Sequence, residues 1–164
     1  MALIWMTSHY RNGDASWIQS YLLELRNINN WDLVDGSAPM LGDWCMKQGD
    51  FSLLHNMALS ASLWDKRIAM VATLATSRAK NPEPALLIAQ ALVDDRADLI
   101  QKAVGWMLRE MDKRCGGTHL RDFLEKLGSR MGRTALRYAT EHLSEKERLG
   151  WLQRTRIKPV SGVV

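Results

Sequence analysis

Hydrophobic positions along this chain recur every three to four residues, and short polar turns interrupt the pattern. The period predicts helices over about residues 2–11, 14–28, 31–47, 50–60, 63–79, 83–93, 97–115, 118–128, 131–142 and 144–155. Turn signals separate them: Asn12-Gly13-Asp14, Gly49-Asp50, Asn81-Pro82-Glu83-Pro84, Gly116-Gly117, and Ser144 ahead of Glu147 as a capping box. No stretch alternates as a strand does, so the expected fold class is all-α. Pro39, just after Gly36-Ser37-Ala38, is expected to kink its helix or end its first turn and a half. Thr155 to Val164 reads as a frayed end, giving one helical domain over 1–155 and a flexible tail over 156–164.

The two faces of the helix expected over 97–115 differ. Ala103, Val104, Met107, Leu108 and Met111 make an ordinary core face. On the other side Lys102, Trp106, Arg109 and Lys113 fall within about 40° of one another. A nucleic-acid surface needs that mixture, charge for phosphates and a flat ring for sugar or base. Packing of Trp106 against a neighbouring helix explains the same pattern, because bundle helices bury more than half their girth.

The helices pair, and the pairs have a period. Arg67, Lys102 and Arg137 stand 35 residues apart, and one step back lies Asp32, beside Trp31 and Asp35. A helix-pair repeat of this length marks an α-solenoid, in which equivalent positions stack along one inner face. The three cations are therefore expected as a ladder on a concave basic surface. Trp31 and Asp35 share a helix face at i and i+4, which adds an acid to that ladder. Asp35 is either a salt-bridge partner for Arg67 or a chemical participant, and spacing leaves both open.

Charge sharpens the picture. The 164 residues carry a net +4, but residues 1–60 hold three Lys/Arg against six Asp/Glu, and residues 61–164 hold nineteen against twelve. A basic C-terminal body points to an anionic partner. No apolar run reaches membrane-spanning length, and Met1 to Met6 lacks the basic flank of a signal peptide. Cys45 and Cys115 have neither a CxxC partner nor a histidine at zinc spacing, so no metal or cofactor is expected and a reducing cytoplasm fits. His9, His55, His119 and His142 form no constellation and read as surface or capping residues.

At these residues the chain resembles the bacterial DNA alkylation-repair glycosylases of the HEAT-like repeat (AlkD-like) family. Four segments carry the resemblance: Ile28 to Asp35, Leu63 to Ala69, Asp98 to Glu110, and Arg133 to Ala139. They lie in family order within about residues 3–152, and the third is long and specific. The resemblance implies a solenoid holding duplex DNA and a monofunctional glycosylase that removes cationic N3- or N7-alkylated purines. It maps the family's catalytic acid to Asp35, its paired tryptophans to Trp31 and Trp106, and its phosphate-contacting arginine to Arg67. Lys102 and Arg137 join them from the ladder, and Arg109 from the stripe. Members of the family carry on the order of two more helix pairs before the segment that opens here. A fragment, a misassigned start and a naturally short member all account for that departure. With that wall missing, Leu3, Ile4, Trp5 and Trp17 are expected to be partly exposed, for want of a polar cap.

The expected partner is double-stranded DNA with alkylated purines, on the nucleoid in the cytoplasm, with no membrane and no obligate protein partner. A Schiff base from Lys102 is set aside, since a phosphate contact explains its position. The alternative is a non-catalytic HEAT-like scaffold for DNA or protein. An RNA-reading solenoid needs repeated base readers, which the differing inner positions do not supply.

Overall fold

The computed structural model describes Thr7, Tyr10 and residues 16–154. Thr7 and Tyr10 are helical; the rest of the helix expected over 2–11, the residues Leu3, Ile4 and Trp5, and the tail from Thr155 lie outside the described residues. The described chain is all helix: α1 (Trp17–Leu23), a 3-10 turn (Leu25–Asn27), α2 (Trp31–Gln48), α3 (Ser52–Ala58), α4 (Leu63–Arg78), α5 (Glu83–Ala91), α6 (Asp98–Cys115), α7 (His119–Leu127), α8 (Arg133–Ala139) and α9 (Glu145–Arg154).

Local chemistry sets the ends. The Asn30 side chain accepts from the Leu33 N–H at 3.1 Å to start α2, and Ser62 accepts from Asp65 at 3.2 Å to start α4. Gly49, at φ 67°, closes α2 in the left-handed conformation that glycine tolerates. Half of the expected capping box forms. Ser144 Oγ accepts from the Glu147 N–H at 3.3 Å, but the Glu147 carboxylate takes a forked contact from Arg121 at 2.8 and 3.2 Å instead of turning back. The helix expected over 14–28 stops at Leu23, where Glu24 leaves helical geometry, and continues as the 3-10 turn. That expected over 131–142 shrinks to α8, because Gly132 is extended.

The long helices α2, α4 and α6 and the short α8 lie side by side in one layer, each packed on the next. The short α3, α5 and α7 back this layer: α3 on α4 and α5, α5 on α4 and α6, α7 on α6. This is the all-α solenoid of helix pairs. Its core includes the fully buried Leu41, Leu54, Ile68, Met70, Ile88, Ile100, Met107, Leu108 and Met111.

Two glycines set how closely the helices of this layer approach. A Cβ on Gly42 would sit 1.9 Å from the Ala72 carbonyl oxygen, bringing α2 onto α4. A Cβ on Gly105 would sit 2.4 Å from both the Ala135 carbonyl oxygen and the Tyr138 Cβ, bringing α8 onto α6. No residue but glycine fits either position without displacing backbone. His142 ties the end of α8 to α6, its Nε2 lying 2.7 Å from the buried Asp112 carboxylate.

Candidate functional site

Asp35 lies in the second turn of α2, one turn after Trp31. Pro39 does not end this helix, which runs on to Gln48. Lacking an N–H, Pro39 gives the Asp35 carbonyl no i+4 hydrogen bond. The Asp35 side chain projects toward α4, where Arg67 meets it as a fork. Arg67 Nε donates to Oδ1 at 3.1 Å and Nη2 donates to Oδ2 at 2.7 Å. Nη1 donates onward to the Leu99 carbonyl at 2.9 Å, at the start of α6. One buried guanidinium thus joins three helices of the layer. Arg67 uses three of its five N–H groups in this way. Its side chain is 7% exposed, against 21% for that of Asp35.

Of the two readings of Asp35, the ion pair with Arg67 is therefore formed. It does not use up the carboxylate. Each oxygen keeps a second lone-pair site, and Asp35 also lines a cleft of about 760 Å³ with Gly36, Pro39, Met40, Asp43 and Arg78. Tyr10 closes one side of that cleft. Its hydroxyl donates to Asp43 at 2.5 Å, and Lys47 reaches Asp43 at 2.8 Å with its ammonium 4.9 Å above the Tyr10 ring. Burial, then the hydrogen bond to Asp43, push the Tyr10 phenol up to about 12. Burial alone would raise the Asp43 carboxyl, but hydrogen bonds from Lys47 and Tyr10 together outweigh it and hold it below its ordinary value.

The other expected residues divide. Trp31 is 57% exposed at the start of α2. Trp106 is half-buried and packs on the core, so its ring is shared between the interior and the surface. Lys102 is exposed and bonds Asp98 at 2.7 Å; that carboxylate holds its ammonium above the ordinary value. Arg109 pairs with Glu141, which follows α8. Arg137 is exposed on α8. Trp17 is half-buried. Among the described residues no cluster of three or more His, Cys, Asp or Glu side chains is placed to hold a metal ion, and no helix is long and apolar enough to cross a membrane.

Two cations were missed as a set by the ladder. Arg78 lines the same cleft as Asp35. It stands eleven residues after Arg67, and Lys113 stands eleven after Lys102. Eleven residues is three helical turns, so each lies on the same face as the first cation of its helix. The signal was present, since Arg78 and Lys113 are themselves 35 residues apart.

A family model described as DNA alkylation repair enzyme matches residues 1–143. No curated protein and no solved structure matches the chain.

Proposed function

The chain belongs to the family of DNA alkylation repair enzymes, and from that premise we propose that it is a monofunctional glycosylase acting on cationic N3- or N7-alkylated purines in duplex DNA. The observation that carries the proposal is the Asp35 carboxylate, oriented by the Arg67 fork and still 21% exposed on a cleft.

Alkylation at N3 or N7 leaves the purine positively charged. When the C1′–N bond breaks, its electron pair returns to the base and cancels that charge, so no strong general acid is required. The sugar becomes the difficult species, because C1′ acquires oxocarbenium character. A fixed carboxylate beside it stabilises that charge, with more effect in a water-poor site than in bulk water. Water then adds to C1′ and gives its proton to Asp35 or to solvent. Arg67 keeps the carboxylate in one orientation, and its remaining N–H groups suit a phosphate. Trp31 and Trp106 supply ring faces for the sugar or the cationic base. Lys102, Arg109 and Arg137 serve the phosphates, which fix register without reading sequence. Lys102 serves as a phosphate contact rather than as a Schiff-base nucleophile, so base release without strand cleavage is expected. The setting is the nucleoid, in the cytoplasm.

The test is base release from duplex carrying 7-methylguanine, read as free purine and heat-labile abasic sites. Asp35→Asn is expected to lose about 100-fold or more of the rate while still binding the duplex. Release at the parental rate would remove Asp35 from the chemistry. Intact DNA under a large excess of the parent protein would instead make the chain a scaffold.

A further inference from the structure

Tyr138 is an aromatic residue held at the surface beside the cation ladder. It follows Arg137 on α8 and is 37% exposed. Its position is dictated from another helix. The Tyr138 Cβ stands over Gly105, 2.4 Å from where a Cβ on that residue would lie. Any side chain at 105 would push it off. Gly105 is one turn after Lys102 and directly precedes Trp106, so the phenol is set against the exposed part of α6. The Lys102 ammonium lies within electrostatic reach of it. The hydroxyl makes no hydrogen bond to any described residue. Arg137 has no ion pair among the described residues either, and it is exposed. Lys102, beside its Asp98 partner, and the unengaged O–H thus come together from adjacent helices, with Arg137 the neighbouring residue on α8. A tetrahedral anion with several acceptor oxygens suits that set, since a phosphate takes charge from lysine and arginine and a directed bond from a phenol.

We propose that Tyr138 is a further DNA contact, donating its hydroxyl to the backbone phosphate that Lys102 and Arg137 neutralise. The inference rests on the duplex-binding reading above and adds one residue to it. Its role differs in kind from that of the cations. A neutral donor releases no counterion, so it adds affinity without adding salt dependence.

The test follows from that difference. Binding of a fluorescent duplex is measured over a salt series for the parent, Tyr138→Phe, Lys102→Ala and Arg137→Ala. Phenylalanine keeps the ring over Gly105 and removes only the hydroxyl. Tyr138→Phe is expected to weaken binding roughly three- to tenfold at every salt concentration, with an unchanged slope. Lys102→Ala and Arg137→Ala are each expected to lower the slope of log K against log salt by about 0.9. Parental affinity for Tyr138→Phe, with both cation variants weakened, overturns the Tyr138 assignment alone. Parental affinity for all three variants overturns the duplex-binding reading on which it rests.

Discussion

Arg67 holds both oxygens of Asp35 and spends a third hydrogen bond on the Leu99 carbonyl. Forked arginine–carboxylate contacts are among the strong, orienting hydrogen bonds, and a point charge cannot copy them. Removing Arg67 leaves a carboxylate that has traded part of its water for a partner now missing. Arg67→Ala is therefore expected to destabilise the fold by about 3 kcal/mol, the lower end for a broken buried pair, because Asp35 retains some access to water. Urea unfolding checks this, and a loss under about 1 kcal/mol would reduce the pair to a surface contact. Spacing alone posed salt bridge against chemistry as a choice. The geometry removes the opposition, because a fork satisfies one lone-pair site on each oxygen and leaves the other. Tyr138 was illegible for a different reason. Periodicity assigns a residue to a face of its own helix, whereas the seat of this ring is made by a glycine on the next one.

At the level of elements, most of the architecture could be read from the chain. α2, α4 and α6 match their expected spans within a residue or so, because each is long, periodic and bounded by a turn signal. Of the two outcomes expected at Pro39, the helix end does not occur, since a proline removes one hydrogen bond and a long packed helix carries on past the loss. Close approach was invisible, and the glycines of α2 now separate two effects. Gly42→Ala drives a methyl into the Ala72 carbonyl and is expected to cost about 2 kcal/mol or more, lowering Tm by roughly 4–8 °C. Gly36→Ala, with nothing within 4 Å of the new methyl, is expected to raise Tm, since alanine favours a helix interior over glycine by up to about 1 kcal/mol. The same shift from both variants would show that packing between α2 and α4 does not depend on Gly42. The contact of Tyr10 with α2 gives a pH signature. The Tyr10 phenol is pushed up to about 12 in the folded state from 10.0, so the folded chain holds a proton that the unfolded chain releases. That stability is complete below pH 10 and is lost as pH rises toward 12. Asp43, depressed when folded, behaves oppositely and loses its contribution as pH falls below about 3.8. Thermal melts from pH 8 to 12 are expected to show a falling Tm that Tyr10→Phe flattens in part. The remainder belongs to Tyr21, which burial also pushes up to about 12, and to the Cys45 thiol, pushed up to about 11, with Cys115 raised by burial as well. An alkaline arm unchanged in Tyr10→Phe would mean that this contact does not form in solution.

Across the whole molecule, five of the nineteen Lys/Arg after residue 60 fall into two rows on α4, α6 and α8. One row of cations, the buried Arg67 with Lys102 and Arg137, crosses the second turns of α4 and α6 and the last turn of the short α8. A second, Arg78 and Lys113, crosses α4 and α6 three turns later, which at 1.5 Å per residue is about 16 Å away. That spacing is comparable with the roughly 12 Å major groove of B-form DNA together with the phosphates that flank it. Two rows at such a distance can each follow one strand, whereas a single row can follow only one. The consequence is measurable in the partner rather than in the protein. Replacing Arg78 and Lys113 together by alanine is expected to lower the salt slope for a duplex by about 1.8, at roughly 0.9 per phosphate contact, and to leave binding of the single lesion-bearing strand unchanged. Replacing Lys102 and Arg137 is expected to weaken both, with the single-strand slope falling by about 1.4. If the Arg78/Lys113 variant binds single strand as poorly as duplex, both rows serve the same strand, and the separation of rows along the helices then has no bearing on how a duplex is held.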